Sequence, residues 1–212
     1  MEIKVVGPRD QKNSVVGQVI NTTSHSPEDW TRELSPFFLG PIPLYGGRKA
    51  RRMENAWQYA KVYAHHLDVS GKPSAAYWAW AEAGWANPRA VRYPQGKGVK
   101  PAYLWWDGEK LDYVAGRLKA YFPMYRDAVR KTAAFAKLQE LVKTTPVTLW
   151  DFDGYDNEAQ GLSLREVFLN PSRPMGHAFV LKAMLLYGPN VTLADVEDTK
   201  PPKAVEPQLS MF

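Results

Sequence analysis

The sequence predicts an α+β fold that is mainly α-helical: one globular domain with a few short strands and a flexible C-terminal tail. The chain has 212 residues, which suits a single domain, and 45% of them are hydrophobic. Apolar residues recur at helical spacing over long segments, whereas runs of β-branched residues are short. The composition turns acidic and then proline-rich after residue 190, so we expect a domain over residues 1–190 and a tail over 191–212.

The N-terminal half is predicted to contain two short strands and two helices. β-Branched residues at 3–5 and 15–20 flank a polar turn, which is typical of short strands. Three prolines and three glycines between residues 35 and 47 exclude a helix and predict an extended loop packed on the core. Apolar residues at helical spacing then predict helices over residues 48–66 and 74–86.

The C-terminal half begins with a basic loop at residues 87–101 and is otherwise predicted to be mostly helical. Residues 104–118 contain a turn at Asp107 and Gly108, followed by a helix. The remaining predicted elements are a helix at 124–143, a strand at 147–152 and helices at 162–170 and 177–187.

The composition excludes several classes of protein. The chain has no cysteine, which rules out disulfide scaffolds, cysteine nucleophiles and thiolate metal sites. It has no apolar run of the roughly 20 residues that span a bilayer and no apolar signal at its N-terminus, so we predict a cytoplasmic protein with no membrane partner. The formal net charge of +5 favours anionic partners such as nucleotides or nucleic acid.

The first candidate site is a stripe on the helix predicted around residues 53–61. Residues three or four apart share a helix face, which groups Glu54, Trp57, Gln58 and Lys61. A carboxylate beside an aromatic ring can serve as a general acid or base, because partial burial raises its pKa. The alternative is an exposed ion pair of Glu54 with a neighbouring cation around one buried tryptophan.

The second candidate site lies at the end of the predicted strand 147–152. Alternation along a strand places Asp151 and Asp153 on one side, opposite Trp150 and Phe152. Two aspartates can hold Mg²⁺ or position a sugar and a water molecule. The alternative is a solvated strand edge before an Asp-Gly turn. The spacing resembles a calcium loop, but Leu162 stands where its bidentate glutamate is needed, and we predict no metal site.

A third candidate is the glycine–histidine pair at residues 176 and 177, where a helix is predicted to begin. Backbone N–H groups at a helix N-terminus favour an anion, and glycine allows its close approach. A lone histidine at such a position is also a common cap or packing residue.

The order of four segments resembles the NADAR, or YbiA-like, family. They are Leu-Ser-Pro-Phe-Phe-Leu-Gly-Pro-Ile-Pro-Leu from residue 34, Met-Glu-Asn-Ala-Trp-Gln-Tyr-Ala-Lys-Val-Tyr from 53, Tyr-Arg-Asp-Ala-Val-Arg-Lys-Thr-Ala-Ala-Phe from 125 and Leu-Trp-Asp-Phe-Asp-Gly-Tyr-Asp from 149. The resemblance covers about residues 34–187. It implies a mainly helical domain that acts on N-glycosidic bonds of ribosyl compounds, including ADP-ribose conjugates. Asn55 stands where the family has histidine, and the family's Trp-Gly after Asp156 is absent.

The resemblance implies a hydrolase with Glu54 and Asp156 as catalytic carboxylates and with Arg130 meeting phosphate. Either Phe37 or Phe38 matches the family's loop aromatic. Together with the two carboxylate motifs, the resemblance gives this expected substrate-binding set: Phe37, Trp57, Gln58, Lys61, Arg130, Asp151 and Asp153. The expected ligand is a nucleotide, an ADP-ribose-like compound or a nucleobase, with no cofactor. The alternative is a non-catalytic nucleic-acid-binding or replication-associated interaction protein.

The chain ends in Gln-Leu-Ser-Met-Phe, which resembles the peptide that binds the bacterial sliding clamp. In that interpretation Leu209, Met211 and Phe212 enter an apolar pocket and Gln208 fixes the register. The resemblance implies a sliding clamp and DNA as partners. The alternatives are a chance match or a terminus that folds back on the core.

Overall fold

The computed structural model describes residues 2–10 and 14–199, and it has the mainly helical α+β fold that the sequence predicts. The α-helices are α1 (Asp29–Arg32), α2 (Met53–Gln58), α3 (Ala75–Ala86), α4 (Tyr113–Gly116), α5 (Phe122–Val129), α6 (Ala133–Leu141), α7 (Leu164–Leu169) and α8 (His177–Tyr187). A π-helix at Arg117–Tyr121 joins α4 to α5. Short 3₁₀ helices occur at Tyr45–Gly47, Ala64–His66 and Leu193–Asp195.

The strands form three small sheets. They are β1 (Ile3–Val6), β2 (Gln18–Asn21), β3 (Ile42–Pro43), β4 (Lys49–Ala50), β5 (Lys61–Val62), β6 (Tyr103–Trp106), β7 (Glu109–Leu111) and β8 (Val147–Trp150). The first sheet has the order β1–β8–β2 with both pairs parallel, and Val147 is in register with Ile3 and Gln18. The others are the antiparallel pair β3–β4 and the antiparallel sheet β5–β6–β7.

Helix α8 is the centre of the core beside the parallel sheet. Every residue from 177 to 185 is buried, which is what an apolar sequence without a polar face requires. The helix contacts α5, α7, β1 and β8. The N-terminus of α8 lies at the carboxyl end of β8. Since both elements are fixed in the core, the residues just after β8 and just before α8 are held close together.

Three helices predicted from the sequence are confirmed with nearly the expected bounds, namely α3, α7 and α8. Ser74 caps α3 by accepting a hydrogen bond from the backbone N–H of Tyr77. Ser163 and Glu166 form a capping box at the start of α7. These local signals are in the sequence, which is why the bounds were predictable.

The helix predicted over residues 48–66 is wrong in extent, since only the six residues of α2 are α-helical. β4 precedes α2 and β5 follows it. The backbone N–H groups of Met53 and Glu54 donate to the carbonyls of Leu39 and Pro36, at 2.8 and 3.0 Å. The proline-rich loop therefore satisfies the free donors of the α2 N-terminus, and this long-range contact holds the loop against the helix.

The helix predicted over residues 124–143 is two helices, α5 and α6. The chain breaks at residues 130–132, where Thr132 accepts a hydrogen bond from the N–H of Phe135 and donates one to the carbonyl of Val129. The turn at Asp107 and Gly108 is confirmed, but it joins β6 to β7 in a hairpin before the helical segment. Both turn residues have positive φ, as tight hairpin turns require.

The packed domain extends past the predicted boundary at residue 190. Val191 and Val196 are buried, and Arg126 donates to the carbonyl of Val191 at 3.0 Å. Gln208, Leu209, Met211 and Phe212 lie outside the described residues, so their clamp partner stays a prediction. No helix in the described part of the chain is long and apolar enough to span a membrane.

Candidate active site

A cavity of about 510 Å³ opens where β2 and β8 end and α8 begins. Ligand sites in sheets with parallel strands are common at this edge, because loops leave the strands there. Helix α2 and the π-helix supply further parts of the wall, and residues 35–37 of the proline-rich loop complete it. With Arg92 and Tyr93 of the basic loop, the cavity is thus lined by seven separate segments of the chain.

The structure brings seven of the nine predicted site residues to this cavity. They are Phe37, Glu54, Trp57, Gln58, Lys61, Asp151 and Asp153. The stripe on α2 and the aspartates after β8 were separate candidates in the sequence, and in the structure they line one site.

Glu54 and Gln58 of α2 and Lys61 of β5 form a hydrogen-bonded chain of three side chains, so the predicted stripe continues past the end of the helix. The Lys61 Nζ donates to the Gln58 Oε1 at 2.6 Å, and the Gln58 Nε2 donates to the Glu54 Oε1 at 2.8 Å. Glu54 is 6% exposed, so the alternative of an exposed ion pair is wrong. The amide has its oxygen towards the cation and its nitrogen towards the carboxylate, which is the arrangement that both charges favour.

Burial shifts the pKa of both charged ends of this chain towards neutrality. Desolvation raises the pKa of Glu54, although the Gln58 hydrogen bond and the charges of Lys61, Arg92 and His177 offset part of the effect. Desolvation also lowers the pKa of Lys61 to about 8, against the attraction of Glu54. A carboxyl group with a raised pKa is a stronger base, and an amine with a lowered pKa is a stronger acid, than the same groups in water.

An aromatic wall stands beside the carboxylate. The Trp57 and Tyr121 rings meet edge to face with centroids 5.2 Å apart, and the Lys61 Nζ lies 5.4 Å from the Trp57 centroid. Burial raises the pKa of Tyr121 well above its usual range, and the charge of Glu54 adds to that effect. Its hydroxyl makes no hydrogen bond to any residue that the structure describes, so it is free to donate to a ligand.

Tyr121 was not identified from the sequence, and neither was Arg117 one helical turn before it. Tyr113, Arg117 and Tyr121 are spaced four residues apart and all line the cavity. This tyrosine–arginine–tyrosine stripe was the signal that could have found them.

Asp151 and His177 form a buried ion pair at the start of α8. The Asp151 Oδ2 lies 3.0 Å from the His177 Nδ1 and accepts the backbone N–H of Ala178 at 3.2 Å. The His177 Nε2 faces the carbonyl of Thr22 at 2.8 Å, so it must carry a proton. Burial alone disfavours both charges, but the mutual attraction outweighs it: the pKa of His177 is raised and that of Asp151 is lowered. Both ring nitrogens of His177, in the third sequence candidate, therefore already have partners within the protein.

Gly176 makes the Asp151 contact possible. Its φ of −74° and ψ of 158° are open to any residue, so backbone freedom is not the reason for glycine. A Cβ at this position would lie 2.2 Å from the Asp151 Oδ2. The absence of a side chain at Gly176 is what lets the carboxylate reach the helix N-terminus.

Asp153 pairs with Arg92, a residue of the basic loop. The Arg92 Nη2 lies 2.6 Å from the Asp153 Oδ2, and both residues line the cavity. Asn55 holds the loop in place, because its amide donates to the carbonyls of two loop residues and accepts the backbone N–H of Val91 at 2.8 Å. Asn55, which stands where the resembled family has histidine, therefore holds the loop that carries Arg92.

Asp156 and Arg130 do not belong to the cavity, contrary to the sequence expectation. The turn after β8 carries Asp156 away from it, and its carboxylate lies 3.6 Å from the Lys4 Nζ. Arg130 follows the end of α5 and contacts Asp127 and Asn190. Neither side chain lines the cavity with Glu54, so both lose their expected roles.

The described residues, 2–10 and 14–199, hold no group of three or more His, Asp and Glu side chains arranged to bind a metal ion.

The fold and cavity define a small, mainly helical α+β protein with a buried carboxylate in an aromatic, cation-lined site. The chain belongs to DUF6939, a family of unknown function, which it matches over residues 10–181. No curated protein matches the sequence, and no solved structure matches it either.

Proposed function

We propose that this protein hydrolyses the N-glycosidic bond of a nucleotide or an ADP-ribosyl compound, with Glu54 as the catalytic carboxylate. The observation that carries the proposal is Glu54 itself: a buried carboxylate in a cavity wall, hydrogen-bonded to Gln58 and joined through it to Lys61. The resemblance of the sequence to the NADAR family supports the same chemistry. A volume of about 510 Å³ suits a nucleotide-sized ligand.

The aromatic residues of the cavity suit a planar base. Trp57 and Tyr121 form the inner wall. Tyr93, Tyr113 and Phe152 also line the cavity and are between 39% and 47% exposed, so they form its rim. Rings at two depths can stack a base near Glu54 and cover the remainder of the ligand.

The proposed reaction is the attack of water on the sugar C1′. The bond between C1′ and the base nitrogen breaks, and its electron pair goes to the nitrogen, while a bond forms between C1′ and the water oxygen. The ionised Glu54 accepts a proton from that water and stabilises the positive charge that develops on the sugar. The Lys61 ammonium supplies the proton that the leaving nitrogen takes up, for which a pKa of about 8 is well suited.

Gln58 has a positioning role in this scheme. Its amide keeps the carboxylate and the ammonium apart while it hydrogen-bonds to both. A direct ion pair would lower the pKa of Glu54 and raise that of Lys61, which would make the carboxylate a weaker base and the ammonium a weaker acid.

The test compares wild type, Glu54→Gln and the control Glu140→Gln on α6, whose side chain is exposed. The substrates are an oligonucleotide with an ADP-ribosylated base, the free ADP-ribosylated nucleoside and a set of nucleoside monophosphates. Release of the free base is measured by chromatography and mass spectrometry. We expect turnover of one substrate class, a loss of about 10²–10⁴-fold in Glu54→Gln and no change in Glu140→Gln. Equal turnover by Glu54→Gln, or no cleavage of any substrate by wild type, would reject the proposal.

A second candidate function is nucleic-acid binding without catalysis, and a basic groove favours it. Lys49, Arg51 and Arg52 line a cleft of about 400 Å³ next to Pro88, and the first two are exposed. This function predicts that affinity for a single-stranded oligonucleotide falls steeply with salt and drops in the double variant Lys49→Gln/Arg51→Gln. Salt-independent binding would argue against it.

A further inference from the structure

Arg117 is a buried cation of the cavity wall that the proposed cleavage does not use. It is 2% exposed, and its guanidinium donates only to backbone carbonyls. The Nη1 donates to the carbonyls of Val167, Phe168 and Asn170 at 3.0–3.1 Å, and the Nη2 donates to that of Arg173 at 3.0 Å. Arg117 thereby caps the C-terminal end of α7.

The carbonyls satisfy one edge of the guanidinium but do not neutralise its charge. Within residues 2–10 and 14–199, Arg117 forms no salt bridge with a carboxylate, and its Nε makes no hydrogen bond. A buried cation without an anionic partner is costly, so such residues are commonly completed by an anion. Because Arg117 lines the cavity, the anion can come from the ligand.

The π-helix sets this charge beside the aromatic wall. Arg117 and Tyr121 are the first and last residues of the π-helix, and both line the cavity. The Tyr113 ring lies 4.6 Å from the Arg117 Cζ on the other side. Tyr121 in turn contacts Trp57, next to Glu54. One wall therefore carries the Arg117 cation next to the aromatic rings of Tyr121 and Trp57. A phosphorylated nucleoside needs both, since its phosphate pairs with a cation and its base stacks on a ring. Single turns of π-helix are frequent at functional sites.

We infer that Arg117 is the phosphate-binding residue of the cavity and selects phosphorylated ligands over the corresponding nucleosides. The choice of a nucleotide phosphate as the anion rests on the proposed function. The inference replaces the sequence expectation for Arg130, which lies outside the cavity.

The test measures binding of ADP, AMP and adenosine by isothermal titration calorimetry, with inorganic pyrophosphate as a competitor of ADP. Arg117→Gln is the variant, because an amide can still donate to the carbonyls of α7 while the charge is lost. Arg173→Gln is the control, since the Arg173 side chain is partly exposed, bonds to Gln160 and does not line the cavity. The midpoint of thermal unfolding confirms that each variant is folded.

Wild type and Arg173→Gln are expected to bind ADP about ten-fold or more tightly than adenosine, and pyrophosphate should displace ADP. In Arg117→Gln the affinity for adenosine should persist while the preference for ADP falls to about two-fold or less. Comparable binding of ADP and adenosine by wild type, or no competition by pyrophosphate, would overturn the inference even if Arg117→Gln does not fold.

The outcomes separate this inference from the proposed function. A preference for ADP that depends on Arg117, together with full turnover by Glu54→Gln, leaves the phosphate site in place and rejects the catalytic role of Glu54. Turnover that depends on Glu54, without a preference for ADP, supports the catalytic role of Glu54 and rejects the phosphate site at Arg117. If wild type binds none of the three compounds, the inference about Arg117 is rejected.

Discussion

Gly176→Ala adds one methyl group to the cavity wall and should destabilise the protein markedly. The new Cβ would lie 2.2 Å from the Asp151 Oδ2, whereas real Cβ contacts are essentially never closer than 3.0 Å. The carboxyl group is buried and must move by roughly 1 Å to make room. The same oxygen contacts the His177 Nδ1 at 3.0 Å and the Ala178 N–H at 3.2 Å, so both contacts are lost together.

The magnitude follows from the cost of breaking a buried ion pair, which is about 3–5 kcal/mol. Alanine also reduces the freedom of the unfolded chain relative to glycine, which returns about 0.5–1 kcal/mol. We expect a net loss of about 3 kcal/mol in the free energy of unfolding. For a domain of this size that loss lowers the melting temperature by about 6–12 °C.

Urea unfolding and calorimetry of four variants test this reasoning: Gly176→Ala, Asp151→Ala, the double variant and Gly98→Ala. A Cβ at Gly98 would meet nothing within 4 Å, and its φ of +86° limits the expected cost to about 1 kcal/mol. If the clash involves the Asp151 carboxyl, Gly176→Ala costs almost nothing in the Asp151→Ala background. A single Gly176→Ala variant within about 0.5 kcal/mol of wild type would refute the argument.

Three further predictions concern pH and packing. Because the mechanism needs a protonated Lys61 that can donate, and its pKa is about 8, turnover should fall as pH rises through 8 in a pH–rate profile. Lys61→Arg keeps the charge but holds its proton too tightly to donate it, so this variant should lower turnover and lose the limit near pH 8. The Asp151–His177 pair should contribute most between pH 3.8 and 6.5, the ordinary pKa values of its two groups. Below that window, protonation of Asp151 removes the stability that comes from its lowered pKa. Above it, deprotonation of His177 removes the stability that comes from its raised pKa. The difference between wild type and Asp151→Asn in the free energy of urea unfolding should therefore shrink on both sides of the window. Gly84→Ala should destabilise α3 despite the better helix propensity of alanine, since its Cβ would lie 2.0 Å from the Tyr59 ring; unchanged urea unfolding would show that the ring can move.

Asn55 and Gln58 hold other residues of the cavity in place. Asn55 contacts the loop that carries Arg92, and Gln58 contacts Glu54 and Lys61. Neither residue needs to touch the reacting atoms to affect the rate. A variant of either should therefore change the shape of the pH–rate profile rather than only its height.

Much of the fold could be predicted from local sequence signals. Ser74 and Ser163 mark the starts of α3 and α7, and the apolar run after His177 marks α8. The grouping of Glu54, Trp57 and Gln58 could also be predicted, since helical spacing places these side chains on one face. Lys61 joins them from β5, which the predicted helix did not foresee. Such features depend on residues within a few positions of one another, and the sequence displays those spacings directly.

The tertiary structure alone decided which of these features meet. The sequence could not show that α2 begins only at Met53, where carbonyls of the proline-rich loop accept its first N–H groups, or that it ends at Gln58 before β5. It could not show that Asp156 turns away from the cavity while Arg117 and Tyr121 enter it. The physical reason is that burial, charge pairing and close approach arise between segments that are distant in sequence, and the cavity that contains Glu54 is lined by seven of them. The spacing of residues can predict which side chains share one face of a helix or strand, but only the tertiary structure determines which other residues that face contacts.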